Sequence, residues 1–197
     1  MKEESLELAK NAFGIEAMAI LETGENMDWE AFAKAVSLLA GAERIAASGC
    51  GHSGIACSHF AHSMCCVERP ARFLSPAEAI HGATGFLQEG DVLVLASRGG
   101  KTAELMPIID IAKKKKAAVI SVTEKLDSPM AQKSDVVIPM KVHRETDRYD
   151  AQGTSSFVAL AAVFDALQVA VMEETGFKGE QFALTHPGGA VGERLNK

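Results

Sequence analysis

Short runs of apolar residues, each too brief for a helix, alternate along this chain with longer segments of helical spacing. The runs are Ile45–Ser48, Ala71–Leu74, Asp91–Ala96, Ala117–Val122 and Val136–Pro139. The strongest of them, Asp91–Ala96, is apolar at every position after Asp91 rather than at every second one. Strands of that kind are buried on both faces, which requires helices above and below a parallel sheet. The expected architecture is therefore α/β, a three-layer α/β/α sandwich around a parallel sheet.

The intervening helices are predicted over residues 3–22, 28–40, 53–67, 102–115, 127–133 and 154–174. Asp28 is placed to cap the second, and Gly176 to end the last. At 197 residues the chain holds one domain with a sizeable core, with residues 1–40 as N-terminal helices packed on it. A net charge of -6 without a basic stripe argues against a nucleic-acid partner. The N-terminus lacks the apolar core of a signal peptide, and the run Phe157–Met172, broken by Asp165 and Gln168, is read as too short to span a membrane. The expected location is the cytoplasm. Four cysteines crowd into residues 50–66, which does not resemble a disulfide framework, so reduced thiols are expected.

Two strands run directly into Ser/Gly loops that open helices: Gly49-Cys-Gly-His-Ser-Gly54 and Ser97-Arg-Gly-Gly-Lys-Thr102. Such junctions leave backbone N–H groups without partners at a helix start, which suits a phosphate. Ser53, Ser97 and Thr102 add hydroxyl donors, and Arg98 and Lys101 add cations. The first loop matches a dinucleotide fingerprint, but Phe73-Leu-Ser-Pro76 stands where the acidic residue should be. The second imitates the end of a nucleotide P-loop, with Leu95 in place of its earlier glycine. No nucleotide cofactor is expected. A phosphorylated small molecule is.

Further along, Glu145 follows the last strand and offers a carboxylate for proton transfer, with Thr154-Ser155-Ser156 opening the next helix. His186 lies in a Gly-rich segment that would fix its position. His59, His62 and Cys66 share one helical face, compatible with a metal site or, more simply, with a helix–helix interface.

Together these residues resemble the sugar isomerase (SIS) domain family, most nearly the isomerase domain of arabinose 5-phosphate isomerases, without the CBS pair that many members carry. The resemblance rests on the two loops, Ser75-Pro-Ala-Glu-Ala-Ile-His-Gly82, Gly153-Thr-Ser-Ser156 and Phe182-Ala-Leu-Thr-His-Pro-Gly-Gly-Ala-Val-Gly192. It implies a flavodoxin-like, five-stranded parallel sheet and a homodimer or homotetramer. It implies aldose–ketose isomerisation through a cis-enediol, without metal or cofactor. Phosphate would be held by Ser53, Ser97, Arg98, Gly99, Lys101 and Thr102, with Thr154 and Ser155. Glu145 would move the proton between sugar carbons, and His186 would open the ring or serve the hydroxyls. His81 and His52 complete the site. The chain departs from the family pattern at His52, usually lysine, and at Gly99 and Lys101, usually serine and glutamate. Those departures motivate an alternative, a non-catalytic phosphosugar-binding protein.

Overall fold

The computed structural model describes residues 1–196. Two N-terminal helices, α1 (Glu3–Glu25) and α2 (Trp29–Gly41), precede the first strand. The sheet elements then alternate with helices: β1 (Ile45–Gly49), α3 (Gly51–Cys66), β2 (Ala71–Phe73), α4 (Pro76–Ala79), β3 (Val92–Ala96), α5 (Met106–Lys114), β4 (Ala118–Thr123), α6 (Pro129–Lys133) and β5 (Val136–Pro139). Three helices close the chain, α7 (Ser155–Thr175), α8 (Gly179–Thr185) and α9 (Gly189–Leu195). The strands form one parallel sheet in the order β2-β1-β3-β4-β5, the flavodoxin-like order.

Strand periodicity divides the core in two. Ala47, Val94 and Ile120 are register neighbours and face α2, α3 and α7. Ala46, Leu93 and Val119 are the adjoining register row and face α4, α5 and α6. The result is the expected three-layer sandwich. Helix α7 lies in the helical layer against α1, α2 and α3. Its 21 residues make it long and apolar enough to cross a membrane, contrary to the shorter run read from the sequence. Ala159, Leu160, Val163, Phe164, Leu167 and Val171 are instead buried in the core, and Phe164 stacks on Phe60 of α3 with ring centroids 4.5 Å apart.

Local signals act as expected at two helix ends. Asp28 accepts from the N–H groups of Glu30 and Ala31, and Gly176 takes the left-handed conformation after α7. One predicted helix is interrupted. After Thr102 the chain makes a 3-10 turn over Ala103–Leu105, and α5 proper starts at Met106 with Pro107 in its first turn. Proline is suited to a helix start because its missing N–H is not required there.

Candidate functional site

Both Ser/Gly loops lie at the carboxyl ends of β1 and β3, where the strand order reverses; open parallel sheets form their ligand crevice at this point. Between them opens a cleft of about 510 Å³ bordered by Gly49, Cys50, Ser75, Ile80 and Glu104.

The first loop is shaped by close backbone approach. A Cβ on Gly54 would lie 2.5 Å from the carbonyl oxygen of Gly49, so α3 can rise this near to β1 only with glycine there. Gly54→Ala should cost about 1–3 kcal/mol by overpacking and also weaken phosphate affinity, read by denaturant melts and calorimetry. No side chain caps α3, so the N–H groups of its first turn stay open to an anion. Ser53 sits among them, and its hydroxyl makes no hydrogen bond to another described residue. His52 points toward the start of α7. Its ring meets Phe157 edge-on at 6.4 Å, and a Cβ on Gly153 would lie 2.8 Å from its Nδ1.

The second loop folds on itself. Ser97 Oγ and Thr102 Oγ1 are 2.9 Å apart, and the Gly100 N–H donates to Ser97 Oγ at 3.1 Å. Gly100 has a φ of +62°, and a Cβ there would collide with the Ser128 hydroxyl. Lys101 does not border the cleft. It lines a separate hollow with Gly99, Lys125, Asp127 and Ser128, on the β4 side. The Lys101 side chain therefore lies outside the lining of the cleft. The carboxylate that borders the cleft is Glu104, which has no part in the reading from sequence. The signal that could have found it is an acid two residues beyond the last loop hydroxyl, on the turn that feeds α5.

Glu145 occupies a different environment. Its side chain is 3% exposed. Oε1 accepts from Arg98 Nη1 at 2.8 Å, while Oε2 accepts from the N–H groups of Thr154 and Ser156 and from the hydroxyls of Thr154 and Ser155. The carboxylate thus caps α7, satisfying N–H groups that would otherwise be open. Burial pushes its pKa up, but the hydrogen bonds from Ser156, Thr154 and Ser155 outweigh this and hold it below its ordinary value. A carboxylate held ionised with both oxygens engaged is a weak proton acceptor. Of the hydroxyls expected to hold phosphate, those of Thr154 and Ser155 are engaged by Glu145, and Ser155 also donates to the carbonyl of Arg144. The Arg98 guanidinium is likewise committed. Besides Glu145 it binds Glu124 Oε2 at 2.9 Å and the Val142 carbonyl at 3.2 Å.

The histidines are dispersed. His81 is exposed in the turn after α4, next to Ile80 at the cleft border. His186 ends α8, stacked on Phe182 with centroids 3.8 Å apart, its Nδ1 2.9 Å from the Phe182 carbonyl. Helix α7 starts against the Glu145 carboxylate and spans about 31 Å, and α8 follows its far end. Gln181 of α8 bonds Glu68, just past the end of α3 opposite to the open first turn. One chain therefore does not bring His186 to Glu145 or to the cleft. The three-residue metal cluster is not formed either. His59 faces Asp165 at 3.6 Å, whereas His62 faces Cys66 at 3.7 Å, and no three potential ligands converge among the described residues. All four cysteines are free thiols.

Comparison with known proteins places this geometry among relatives. The SIS domain profile matches residues 38–170. Arabinose 5-phosphate isomerase KdsD of Pseudomonas aeruginosa is 36% identical over 165 residues, 83% of this chain and 51% of the relative. Arabinose 5-phosphate isomerase GutQ of Salmonella typhimurium matches to the same extent. The chain thus spans about half the length of the curated relatives it matches. Among solved structures, a candidate sugar-phosphate isomerase from Listeria monocytogenes superposes with a TM-score of 0.91 at 39% identity, covering 95% of this chain and 100% of the other. An Escherichia coli CFT073 protein solved in complex with arabinose 5-phosphate gives 0.88 at 28% identity, covering 95% and 100%.

Proposed function

The chain belongs to the SIS domain family, and from that premise we propose that it is an aldose–ketose isomerase of phosphorylated sugars. The observation that carries the reading is the junction at β1 and β3. There the uncapped start of α3 borders a cleft with one exposed carboxylate, Glu104, while Ser53 follows in the first turn of α3 and the Ser97–Thr102 loop leads into the turn that carries Glu104. An anion held at the loops would place a sugar chain along the cleft. Arabinose 5-phosphate is the first substrate to test, as the substrate named for the curated relatives.

The reaction needs a base that removes the proton from C2 while the carbonyl oxygen on C1 is protonated, giving the cis-enediol. Returning the proton to C1 as the C2 hydroxyl is deprotonated completes the exchange. Glu104 is the carboxylate positioned for this shuttle. Glu145, expected from the sequence to do it, holds the α7 start instead. His81, which follows the border residue Ile80, is assigned hydroxyl proton transfer. His186 can reach a cleft only from a second copy, and a homo-oligomer is part of the proposal. Exposed apolar side chains on α1 support it, among them Phe13, Met18 and Leu21. Metal and cofactor are not invoked, and the enzyme is placed in the cytoplasm.

Saturation of Glu145 favours one rival, a phosphosugar-binding protein without turnover. Proton NMR in D2O with a panel of pentose and hexose phosphates decides between them. Deuterium appearing at C1 or C2, with conversion of one sugar, is the expected result. Ligand-induced rises in melting temperature with no exchange for any sugar would establish the rival.

A further inference from the structure

The position after Ser97 carries an arginine whose three hydrogen bonds all lead away from the anion loop. Arg98 Nε bonds Glu124, Nη1 bonds Glu145 and Nη2 bonds the Val142 carbonyl. Its own carbonyl accepts from the Glu124 N–H and the Thr123 hydroxyl, each at 3.1 Å. The loop after β3 is thereby fastened to the end of β4 and to the segment after β5. Glu145 extends the connection to the N–H groups of Thr154 and Ser156. Gly153, just before them, packs against His52 in the first turn of α3. A continuous set of contacts therefore runs from one anion loop, through Arg98 and Glu145, to the other.

The geometry points to Arg98 as a positioning residue: by bridging Glu145 and Glu124 it fixes the start of α7, and with it the spacing between the two anion loops. The assignment rests on the reading of these loops as the phosphate site. It gives the arginine no contact with the phosphate. A guanidinium suits this post because its planar fork serves three acceptors at once, which a lysine ammonium at the end of a flexible stem does poorly. The charges around Glu145 are Arg98, Glu124 beyond it, Asp150, which accepts the Glu145 N–H, and Arg144, which donates to the Glu145 carbonyl. Without Arg98, Glu145 faces Glu124 and Asp150 with no cation on its carboxylate, so it takes up a proton more readily. A protonated Glu145 accepts less well from the α7 N–H groups, and the anion site loosens as pH falls.

The test compares wild type with Arg98→Met and Arg98→Lys. Binding of inorganic phosphate and arabinose 5-phosphate is measured by calorimetry from neutral pH to below the ordinary carboxyl value of 4.5, and kcat/KM is followed over the same range. The methionine variant should bind phosphate about tenfold more weakly. Its acid limb should move up by about one pH unit. The lysine variant should recover part of both. Wild-type affinity with an unmoved acid limb in the methionine variant overturns the proposal, even with a lowered melting temperature, because Arg98 then serves stability alone. Should the methionine variant not fold, the lysine variant decides, with the same changes expected at smaller size and wild-type behaviour overturning the proposal. If wild type converts no sugar phosphate, the isomerase reading falls, and the binding arm decides Arg98 by the same criterion.

Discussion

Replacing Glu104 by glutamine is expected to lower kcat by about 10²–10⁴-fold, the range supplied by a positioned general acid–base group. Affinity for the sugar phosphate and the melting temperature should stay near wild type. The side chain is exposed at the border of the cleft and makes no hydrogen bond to another described residue, so its removal breaks nothing in the core. Exposed positions of this kind change stability by no more than about 0.5 kcal/mol. Isomerisation followed by NMR, beside a thermal melt, separates the two quantities. A Glu104→Gln enzyme with wild-type turnover would move the proton shuttle elsewhere in the cleft.

Glu145→Ala should fail in a different way. Removing one partner of a buried ion pair typically costs about 3–5 kcal/mol, and here the N–H groups of Thr154 and Ser156 lose their acceptor as well. Arg98 keeps Glu124, which places the cost toward the lower end. The pH dependence follows from the direction of the shift. The folded carboxyl titrates below its ordinary value of 4.5. Its contribution is therefore fully present above about pH 4.5 and is lost as pH falls through the lower, folded-state value. Denaturant melts over that range should show wild type losing stability faster than the alanine variant on acidification. Equal slopes would mean that Glu145 is not held ionised by the fold.

The contrast between these two carboxylates shows what could be seen in the chain of letters. Strand location was legible because Val92–Ala96 and Ala117–Ile120 are apolar at successive positions, which burial on both faces explains. The first loop was legible because Gly49 and Gly54 are required by backbone contact between neighbouring elements. Arg98 and Glu145 are 47 residues apart, and no local pattern indicates that they meet. Without that contact, an arginine in an anion loop reads as a phosphate ligand and a glutamate after a strand reads as a base. The placement of Lys101 is hidden for the same reason, since which side of the loop it takes depends on how Gly100 packs against Ser128.

The alternation of apolar strands with helices determined by itself the parallel sheet, its two helical layers and the end of the sheet that carries ligand loops. Those properties follow from periodicity and turn chemistry, which act over a few residues. Tertiary structure alone decided which charges are spent and which remain free. Arg98, Glu145, Thr154 and Ser155 neutralise and cap one another, whereas Glu104 and the start of α3 at Gly51 are left bordering the cleft. Hydrogen bonds and ion pairs between distant segments are made only once the strands are in register, and they decide which polar groups are available for chemistry.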